Sequence, residues 1–318
     1  MRIDGRVPII EESESPQALL AQVGRFSSRQ VWLIDVDDTI TNTAAMHKRA
    51  AMSTADVVGL SVGSHQGKMV ARRFDEVFQV MLASHQALPG SQQPTDEPYG
   101  TSSPGSLLRR IAACQQAILH DWGAIKKFSR EVLLKLAAED CDVDLSPEQI
   151  LSATDHYWRQ VDEHTVFIRD TLQLLRTLEG RNCPVYLMTG SDGRLIPRTD
   201  GQFTYDPQFS KSDKLGRMMG LRQKGVHFQD VFIGDPVDKP EPQFFKILIE
   251  GIQGDLGRRL RSADLVVLGD SYRSDLETPL AQGLADVGVL YVQGQSAPRL
   301  ESSRVISVGD LSSLIRGR

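Results

Sequence analysis

The chain has 318 residues, of which 40% are hydrophobic and 24% are charged. This length fits one large domain or two ordinary ones, and the composition is typical of a soluble globular protein with a substantial hydrophobic core. The formal net charge is −5, and no basic stripe offsets it, which argues against nucleic acid as the main partner.

The cysteines are scattered along the chain, at Cys114, Cys141 and Cys183. An odd number without CxxC spacing disfavours a disulfide framework and favours a reducing compartment. The N-terminal segment lacks the apolar stretch of a signal peptide, and no apolar run reaches membrane-spanning length. We therefore expect a cytoplasmic protein.

The first predicted strand is the apolar run VWLID, residues 31–35, which suits a strand that is buried on both faces. Acidic residues follow at once, so that Asp35, Asp37 and Asp38 fall within four positions. Carboxylates this close repel one another. Such crowding requires a physical reason.

From about residue 43 to residue 165 the sequence has a helical pattern. Apolar residues recur at helical spacing in segments 74–88, 106–122 and 128–140, and no strand-like alternation interrupts them. We predict that residues 43–165 form a separate all-α domain.

Beyond residue 165, predicted strands and helices alternate. The strands are at 184–190, 230–235, 264–270 and 286–292, and the helices include 170–180 and 242–252. This alternation predicts an α/β fold, with a Rossmann-like, mostly parallel sheet that is flanked by helices and includes strand 31–35. The predicted core domain therefore comprises residues 1–42 and 166–318, with the all-α domain inserted into it.

Ligands bind open α/β sheets beyond the carboxyl ends of the strands. The residues that the predicted strands bring to this edge include acids, hydroxyls and one lysine: Asp35, Asp37, Thr39, Thr189, Gly190, Asp235, Lys239, Asp270 and Asp275.

Four segments at these strand ends resemble the motifs of the haloacid dehalogenase-like (HAD) hydrolase superfamily. They are DVDDT at 35–39, VYLMTGS at 185–191, DKPEPQFF at 238–245 and VVLGDSYRSD at 266–275, in the family's order. The inserted helices stand where the family has its α-helical cap, after the first motif. The resemblance implies the phosphatase branch, because dehalogenases of the superfamily lack an acid at the position of Asp37.

The resemblance also implies a catalytic role for each motif residue. Asp35 is the nucleophile, and Asp37 is the general acid and then the general base. Thr189 and Gly190 hold the phosphoryl oxygens, and Lys239 balances their charge.

Mg²⁺ is the implied cofactor. Its implied ligands are the carboxylate of Asp35, the main-chain carbonyl of Asp37 and the carboxylate of Asp270, while Asp275 orients the metal site. A hard divalent cation would also make the crowding of acidic residues tolerable. The alternative role for Asp275 is to cap a helix.

Other acidic residues at the strand ends have simpler interpretations. We predict that Asp38 caps the following turn or helix, and that Asp235 ends its strand without a chemical role.

The segment 192–214 is polar and turn-rich, and it resembles a hairpin around Asp200 and Gly201. Because it follows the strand that ends at Gly190, we expect it at the rim of the site. Arg194, Arg198 or Lys211 then contacts the non-phosphate part of the substrate, or else the hairpin is simply solvated. The inserted helices carry further polar and aromatic candidates that the sequence does not rank: Thr43, His47, Arg49, Trp122, Lys126, Trp158 and Arg159.

The function that we predict is Mg²⁺-dependent hydrolysis of a small phosphorylated metabolite through an aspartyl-phosphate. One alternative is a phosphotransferase or mutase that uses the same intermediate, and another is a non-catalytic binding protein that retains the fold. The expected partner is a small phosphorylated substrate, without nucleic acid or membrane. Nothing in the sequence indicates an oligomeric state.

Overall fold

The computed structural model describes residues 23, 26–86, 103–293 and 304–315. The predicted core-domain residues 1–22 therefore lie outside the described part of the chain. The strands are β1 Val31–Asp35, β2 Val185–Gly190, β3 Leu195–Pro197, β4 Phe203–Tyr205, β5 Val231–Gly234, β6 Leu265–Gly269, β7 Val287–Tyr291 and β8 Val305–Val308.

Helices make up most of the remaining structure. They are α1 Thr43–Val62, α2 Ser64–Gln86, α3 Pro104–Cys114, α4 Gln116–Trp122, α5 Arg130–Glu139, α6 Pro147–Glu163, α7 Arg169–Gly180, α8 Pro207–Gln223, α9 Pro242–Leu256, α10 Glu277–Ala281 and α11 Ser312–Ile315. A 3₁₀ turn covers Ser262–Asp264, and a π-helical turn covers Tyr272–Leu276. Within the described residues, no helix combines the length and apolar character that crossing a lipid bilayer requires.

The central sheet has six parallel strands in the order β5-β2-β1-β6-β7-β8. Strand β1 lies between β2 and β6, and every residue of its VWLID sequence is buried. Trp32 and Ile34 pack into one apolar cluster with α7 and α8, whereas Val31 and Leu33 pack into another with α9. The predicted α/β fold with a helix-flanked parallel sheet is confirmed.

Helices α1 to α6, residues 43–163, form what we call the helical unit. They share an apolar cluster in which the side chains of α1, α2 and α6 meet those of α3 and α5. Helix α1 begins after Asn42, whose side chain accepts from the Ala45 N–H, and α6 begins with a capping box formed by Ser146 and Gln149.

The chain segments that lead into and out of the helical unit lie side by side. Thr41 forms an antiparallel bridge with Phe167, and the Asn42 N–H donates to the Val166 carbonyl at 2.8 Å. The division of the chain into two domains remains a prediction, but this pairing is what an insertion between β1 and β2 requires.

Strands β3 and β4 form an antiparallel hairpin at the predicted position. Gly201 adopts φ 78°, which glycine accommodates without strain, and the Arg198 N–H donates to the Gln202 carbonyl at 2.9 Å. Leu195 and Phe203 of this hairpin belong to the apolar cluster of the helical unit. The hairpin therefore packs against the inserted helices.

Three elements differ from the sequence prediction. The segment 192–214 is a hairpin only in its first half, because α8 begins at Pro207. The pattern over 106–122 is divided between α3 and α4 at Gln115, whose side chain bonds to the main-chain N–H and carbonyl of Lys126. Strand β8 was not predicted, since its four residues at the sheet edge give too short a pattern.

Candidate active site

The carboxyl ends of four neighbouring strands meet at one edge of the sheet, because β5, β2, β1 and β6 lie side by side and run parallel. The loops after these strands line one side of a cavity of about 210 Å³, and the helical unit lines the other side. We call this the site cavity. The predicted site residues that line it are Asp35, Asp37, Gly190, Lys239, Asp270 and Asp275.

Three carboxylates form a cluster in the site cavity. Oxygens of Asp35, Asp270 and Asp275 lie within 4.8 Å of one another. Lys239 bridges two of them, since its Nζ is 2.5 Å from Asp35 Oδ1 and 2.7 Å from Asp275 Oδ1. Thr39 donates its hydroxyl to the other oxygen of Asp35 at 3.2 Å.

This cluster has the composition that a divalent cation needs. Burial and the neighbouring carboxylates Asp275 and Asp35 raise the pKa of Asp270 well above its usual value, and burial likewise raises the pKa of Asp35. Three carboxylates and one ammonium leave a formal charge of −2, and carboxylate oxygens are the ligands that Mg²⁺ prefers. The residues present therefore fit a bound Mg²⁺.

Asp275 reaches the cluster because β6 ends in glycine. A Cβ at Gly269 would overlap the Asp275 side chain, which lies directly over this strand end. Asp275 Oδ2 also accepts from the Ser271 N–H at 3.1 Å. Glycine at this position is thus what allows a carboxylate to fold back onto the sheet edge.

Asp37 lies two positions beyond Asp35 and has a different set of partners. Its Oδ2 accepts from Lys214 Nζ at 2.9 Å and from the Thr189 hydroxyl at 3.1 Å, and its Oδ1 lies 3.4 Å from the Thr43 hydroxyl. Partial burial by itself raises the pKa of Asp37, but Lys214 outweighs it, helped by Arg217, and holds this pKa well below its usual range. The environments of Asp35 and Asp37 thus push their pKa values in opposite directions.

Thr189 was predicted to hold phosphoryl oxygens. It is fully buried at the end of β2 and contacts Asp37. The next residue, Gly190, lines the site cavity, and a Cβ there would meet the Asp238 carboxylate at 3.3 Å. The structure brings these two residues and the four aspartates of the predicted metal site, Asp35, Asp37, Asp270 and Asp275, to the same edge of the sheet.

Two basic residues of α8 lie at the site and were not predicted from the sequence. Lys214 is buried and bonds to Asp192 as well as Asp37, and Arg217 pairs with Asp192 and lines the site cavity. Both lie on α8, where Ser210, Lys214, Met218 and Leu221 form the buried face. A lysine within the apolar spacing of a helix was the sequence signal that could have revealed this site.

The structure confirms the prediction that Asp38 caps the following helix, α1. Its Oδ1 accepts from the Thr43 N–H at 2.9 Å, at the start of α1, and its backbone takes the left-handed value φ 58°. Asp235 lies at the end of β5, with Lys126 Nζ 3.5 Å from its carboxylate, and it is not among the described residues that line the site cavity.

The arginines predicted to contact substrate lie elsewhere. Arg194 is buried and forms ion pairs with Glu131, Asp155 and Asp213, so that its charge is already neutralised. Arg198 is half-exposed beside the turn of the hairpin and pairs with Asp200. Lys211 is exposed on α8. In the structure none of these three lines the site cavity, which corrects this part of the prediction.

The helical unit contributes an aromatic wall to the site cavity. Phe78, Phe128, Tyr157 and Trp158 line it, together with His47 and Arg130. Of the candidates that the sequence did not rank, Thr43, His47 and Trp158 are at the cavity. The sequence does not indicate Arg130 as a site residue, because no motif surrounds its position at the start of α5.

Comparisons with protein-family models and with curated proteins find no match. Solved structures do match. The magnesium-bound YfnB protein of Bacillus subtilis, described as a HAD-hydrolase, is 13% identical, with 90% of this chain and 97% of that chain covered and a TM-score of 0.53. A Thermotoga maritima protein described as a beta-phosphoglucomutase is also 13% identical, with 90% and 97% covered and a TM-score of 0.51.

These likenesses extend over nearly the whole of each chain. The sheet and the helices between β1 and β2 define an α/β protein with a parallel sheet. More particularly, this chain has the haloacid dehalogenase-like fold, as the four motifs predicted.

Proposed function

We propose that this protein is a Mg²⁺-dependent phosphatase that hydrolyses a small phosphorylated metabolite through an aspartyl-phosphate on Asp35. The observation that supports this most is the pairing of two nearby carboxylates with two different lysines. Asp35 pairs with Lys239, and Asp37 pairs with Lys214. Two acids in distinct environments suit a nucleophile and an acid–base group.

In the first step, a carboxylate oxygen of Asp35 attacks phosphorus and the bond from phosphorus to the leaving oxygen breaks. Hydrogen bonds from Thr39 and Lys239 hold the Asp35 carboxylate in one orientation. The leaving oxygen takes its proton from Asp37. A bound phosphoryl group beside Asp37 raises its proton affinity, so that it carries this proton in the complex.

In the second step, water attacks the phosphorus of the aspartyl-phosphate and Asp37 accepts its proton. The bond from phosphorus to the Asp35 oxygen breaks, which releases phosphate and restores the Asp35 carboxylate. Thr189 and Lys214 keep the Asp37 carboxylate in place for both steps. Lys239 balances charge on the phosphoryl oxygens during each transfer.

Asp35, Asp270 and Asp275 would hold the Mg²⁺, with the main-chain carbonyl of Asp37 as a further ligand. When bound, the ion supplies positive charge that offsets the repulsion between these carboxylates and the phosphoryl group. We assign the role of the cap to the helical unit, because its aromatic residues cover the strand ends across the site cavity and would keep bulk water from a bound substrate.

The test is hydrolysis of a generic aryl phosphate by the full chain. We expect phosphate release that requires Mg²⁺ and stops on chelation. Asp35→Asn removes the nucleophile with little change in shape and is expected to lower kcat by at least about 1,000-fold. Asp200→Asn, a half-exposed aspartate outside the site cavity, is the matched control and should retain wild-type activity. Substantial turnover by Asp35→Asn would require a different nucleophile.

The same assay separates hydrolysis from transfer. An added alcohol or sugar acceptor competes with water for the aspartyl-phosphate, and a mutase or transferase delivers most of the phosphate to the acceptor. We expect free phosphate to predominate. The absence of Mg²⁺-dependent turnover on every phosphate ester would favour a binding protein instead.

A further inference from the structure

Arg130 is a buried cation on the helical side of the site cavity. It is the first residue of α5, its exposed fraction is 5%, and it lines the cavity. No step of the proposed chemistry uses it.

Aromatic side chains surround the Arg130 guanidinium. Its Cζ lies 4.4 Å from the ring centroid of Phe78, 5.0 Å from that of Trp158 and 5.4 Å from that of Tyr157. These rings attract the cation through their π faces, but they do not neutralise its charge.

Hydrogen bonds use only part of the guanidinium. Nε donates to the Tyr157 hydroxyl at 3.1 Å, and Nη1 donates to the Phe128 carbonyl. An arginine has five N–H donors. Both N–H groups of Nη2 and the second N–H of Nη1 therefore have no acceptor among the described residues.

Arg130 differs from the other cations at the site because it lacks a carboxylate partner within the described part of the chain. Of the described residues that line the site cavity, three carry a permanent positive charge. Lys239 pairs with Asp35 and Asp275, and Arg217 pairs with Asp192. Arg130 has no carboxylate partner among the described residues.

Two acidic side chains, the one next to Arg130 in sequence and one on the cavity wall, already have basic partners. Glu131 pairs with Arg194, and Asp192 pairs with Lys214 and Arg217. Burying a charge without a counter-ion is costly. A protein retains such a charge where a ligand supplies the missing anion.

We propose that Arg130 binds a carboxylate of the substrate, located on the same small carbon skeleton that bears the phosphoryl group. The proposal rests on the proposed function and names its substrate class, a phosphorylated hydroxy acid. The unused N–H groups of Nη1 and Nη2 form the planar fork that matches a carboxylate in a bidentate arrangement. A cavity of about 210 Å³ admits only a short skeleton between the two anionic groups.

The test compares matched substrates on the wild-type protein. Phosphorylated hydroxy acids of increasing length are each paired with the carboxamide analogue, which has nearly the same shape but no charge. We expect kcat/KM for the best acid to exceed that for its amide by at least about tenfold. Equal rates for acid and amide at every length would overturn the proposal.

Variants then assign the preference to Arg130. Arg130→Met keeps much of the side-chain length and removes the charge. We expect it to lower kcat/KM for the acid by at least about tenfold more than kcat/KM for the amide, which abolishes the preference. Arg130→Lys keeps a charge but loses the planar fork, and should retain part of the preference. Arg73→Met, an arginine of the helical unit that pairs with Asp140, is the matched control.

The outcomes separate this proposal from the proposed function. If the wild type hydrolyses an aryl phosphate but does not favour acids, only the substrate class is wrong. If it hydrolyses none of the esters, the proposed function fails. An equal loss on acid and amide in Arg130→Met would place Arg130 at the phosphoryl group and would overturn the proposal. If Arg130→Met does not fold, the wild-type comparison and Arg130→Lys decide.

Discussion

At the scale of single residues, the site separates two carboxylates that are only two positions apart in the sequence. Lys239 comes from the loop after β5 and holds Asp35, whereas Lys214 comes from α8 and holds Asp37. Burial and the nearby Asp275 raise the pKa of Asp35 although Lys239 lowers it. Burial also opposes ionisation of Asp37, but Lys214 and Arg217 outweigh it and hold the pKa of Asp37 below its usual range. The fold thus gives two residues of the same type different electrostatic environments.

His47 provides a prediction at this scale. It is fully buried, it stacks on Phe78 with 3.5 Å between ring centroids, and its Nδ1 lies 2.9 Å from the Tyr157 hydroxyl. Burial, with the charge of Arg130 nearby, holds the pKa of His47 well below 6.5. The unfolded chain therefore takes up a proton at a pH where folded His47 stays neutral.

The sign of the effect on stability follows from this uptake. The contribution of neutral His47 is fully present above its unfolded pKa of 6.5 and is lost as pH falls below that value, by up to about 1.4 kcal/mol per pH unit. We expect His47→Phe to show a weaker loss of stability between pH 7.5 and 5.5 in denaturant unfolding. His227→Phe, at an exposed histidine, should keep the wild-type pH dependence, and an equal change in both variants would contradict the assignment.

At the scale of elements, the β3–β4 hairpin connects the sheet to the helical unit. Arg194, just before β3, bonds to Glu131 of α5 at 2.7 Å, and both side chains are almost fully buried. The Leu195 N–H also donates to Glu131, at 3.3 Å. The hairpin therefore fixes the start of α5, which is also where Arg130 lies.

We expect Arg194→Met to destabilise the protein by about 3–5 kcal/mol, because it leaves the Glu131 carboxylate buried without its main partner. Adding Glu131→Gln to this variant should recover part of the loss. The measurement is the free energy of unfolding in denaturant. Arg198→Met, four residues along and half-exposed, is the control and should change stability by less than about 0.5 kcal/mol. Equal effects at both positions would contradict a buried ion pair.

The kind of secondary-structure element also determines how much of the fold can be predicted from the sequence alone. The VWLID run and the four strands near 184–190, 230–235, 264–270 and 286–292 could be predicted, because strands that are buried on both faces are continuously apolar. The predicted metal-site aspartates and Thr189 could be predicted for the same reason, since each lies at the end of such a strand or, like Asp275, in the turn that follows it. Their chemical roles remain predictions.

Other parts of the site could not be predicted, for reasons of geometry. Lys214 and Arg217 reach it from α8, a helix hidden in a segment whose polar first half predicted only a hairpin. Arg194 looked like a ligand-binding residue because its three carboxylate partners are distant in sequence. Arg130 became a candidate only when the packing of α5 against α2 and α6 was known.

At the scale of the whole molecule, we expect the carboxylate cluster to link stability to metal binding. Asp270 lies close to Asp35 and Asp275, and this like charge opposes folding when no cation is bound. A ligand that binds only the folded state stabilises it by about 2.7 kcal/mol at one hundred times its Kd. We therefore expect Mg²⁺ to raise Tm in a concentration-dependent way.

Asp270→Asn tests this link. It removes one of the repelling charges, so the metal-free variant should be at least as stable as the metal-free wild type. The rise in Tm with Mg²⁺ should shrink strongly, because the variant lacks one ligand. Thermal unfolding with Mg²⁺ and with a chelator measures both effects. A full Mg²⁺-induced rise in Tm for Asp270→Asn would place the ion elsewhere.

The antiparallel bridge between Thr41 and Phe167 has a consequence for engineering. The chain enters the helical unit near Thr41 and leaves it near Phe167, and these two positions are adjacent. The residues between them could therefore be exchanged as one continuous segment. A different set of helices joined at these two neighbouring positions would keep β1 and β2, but it would need a new partner for the β3–β4 hairpin, whose Arg194 pairs with Glu131. On the proposed function, we expect such an exchange to change substrate preference while the residues at the strand ends stay in place.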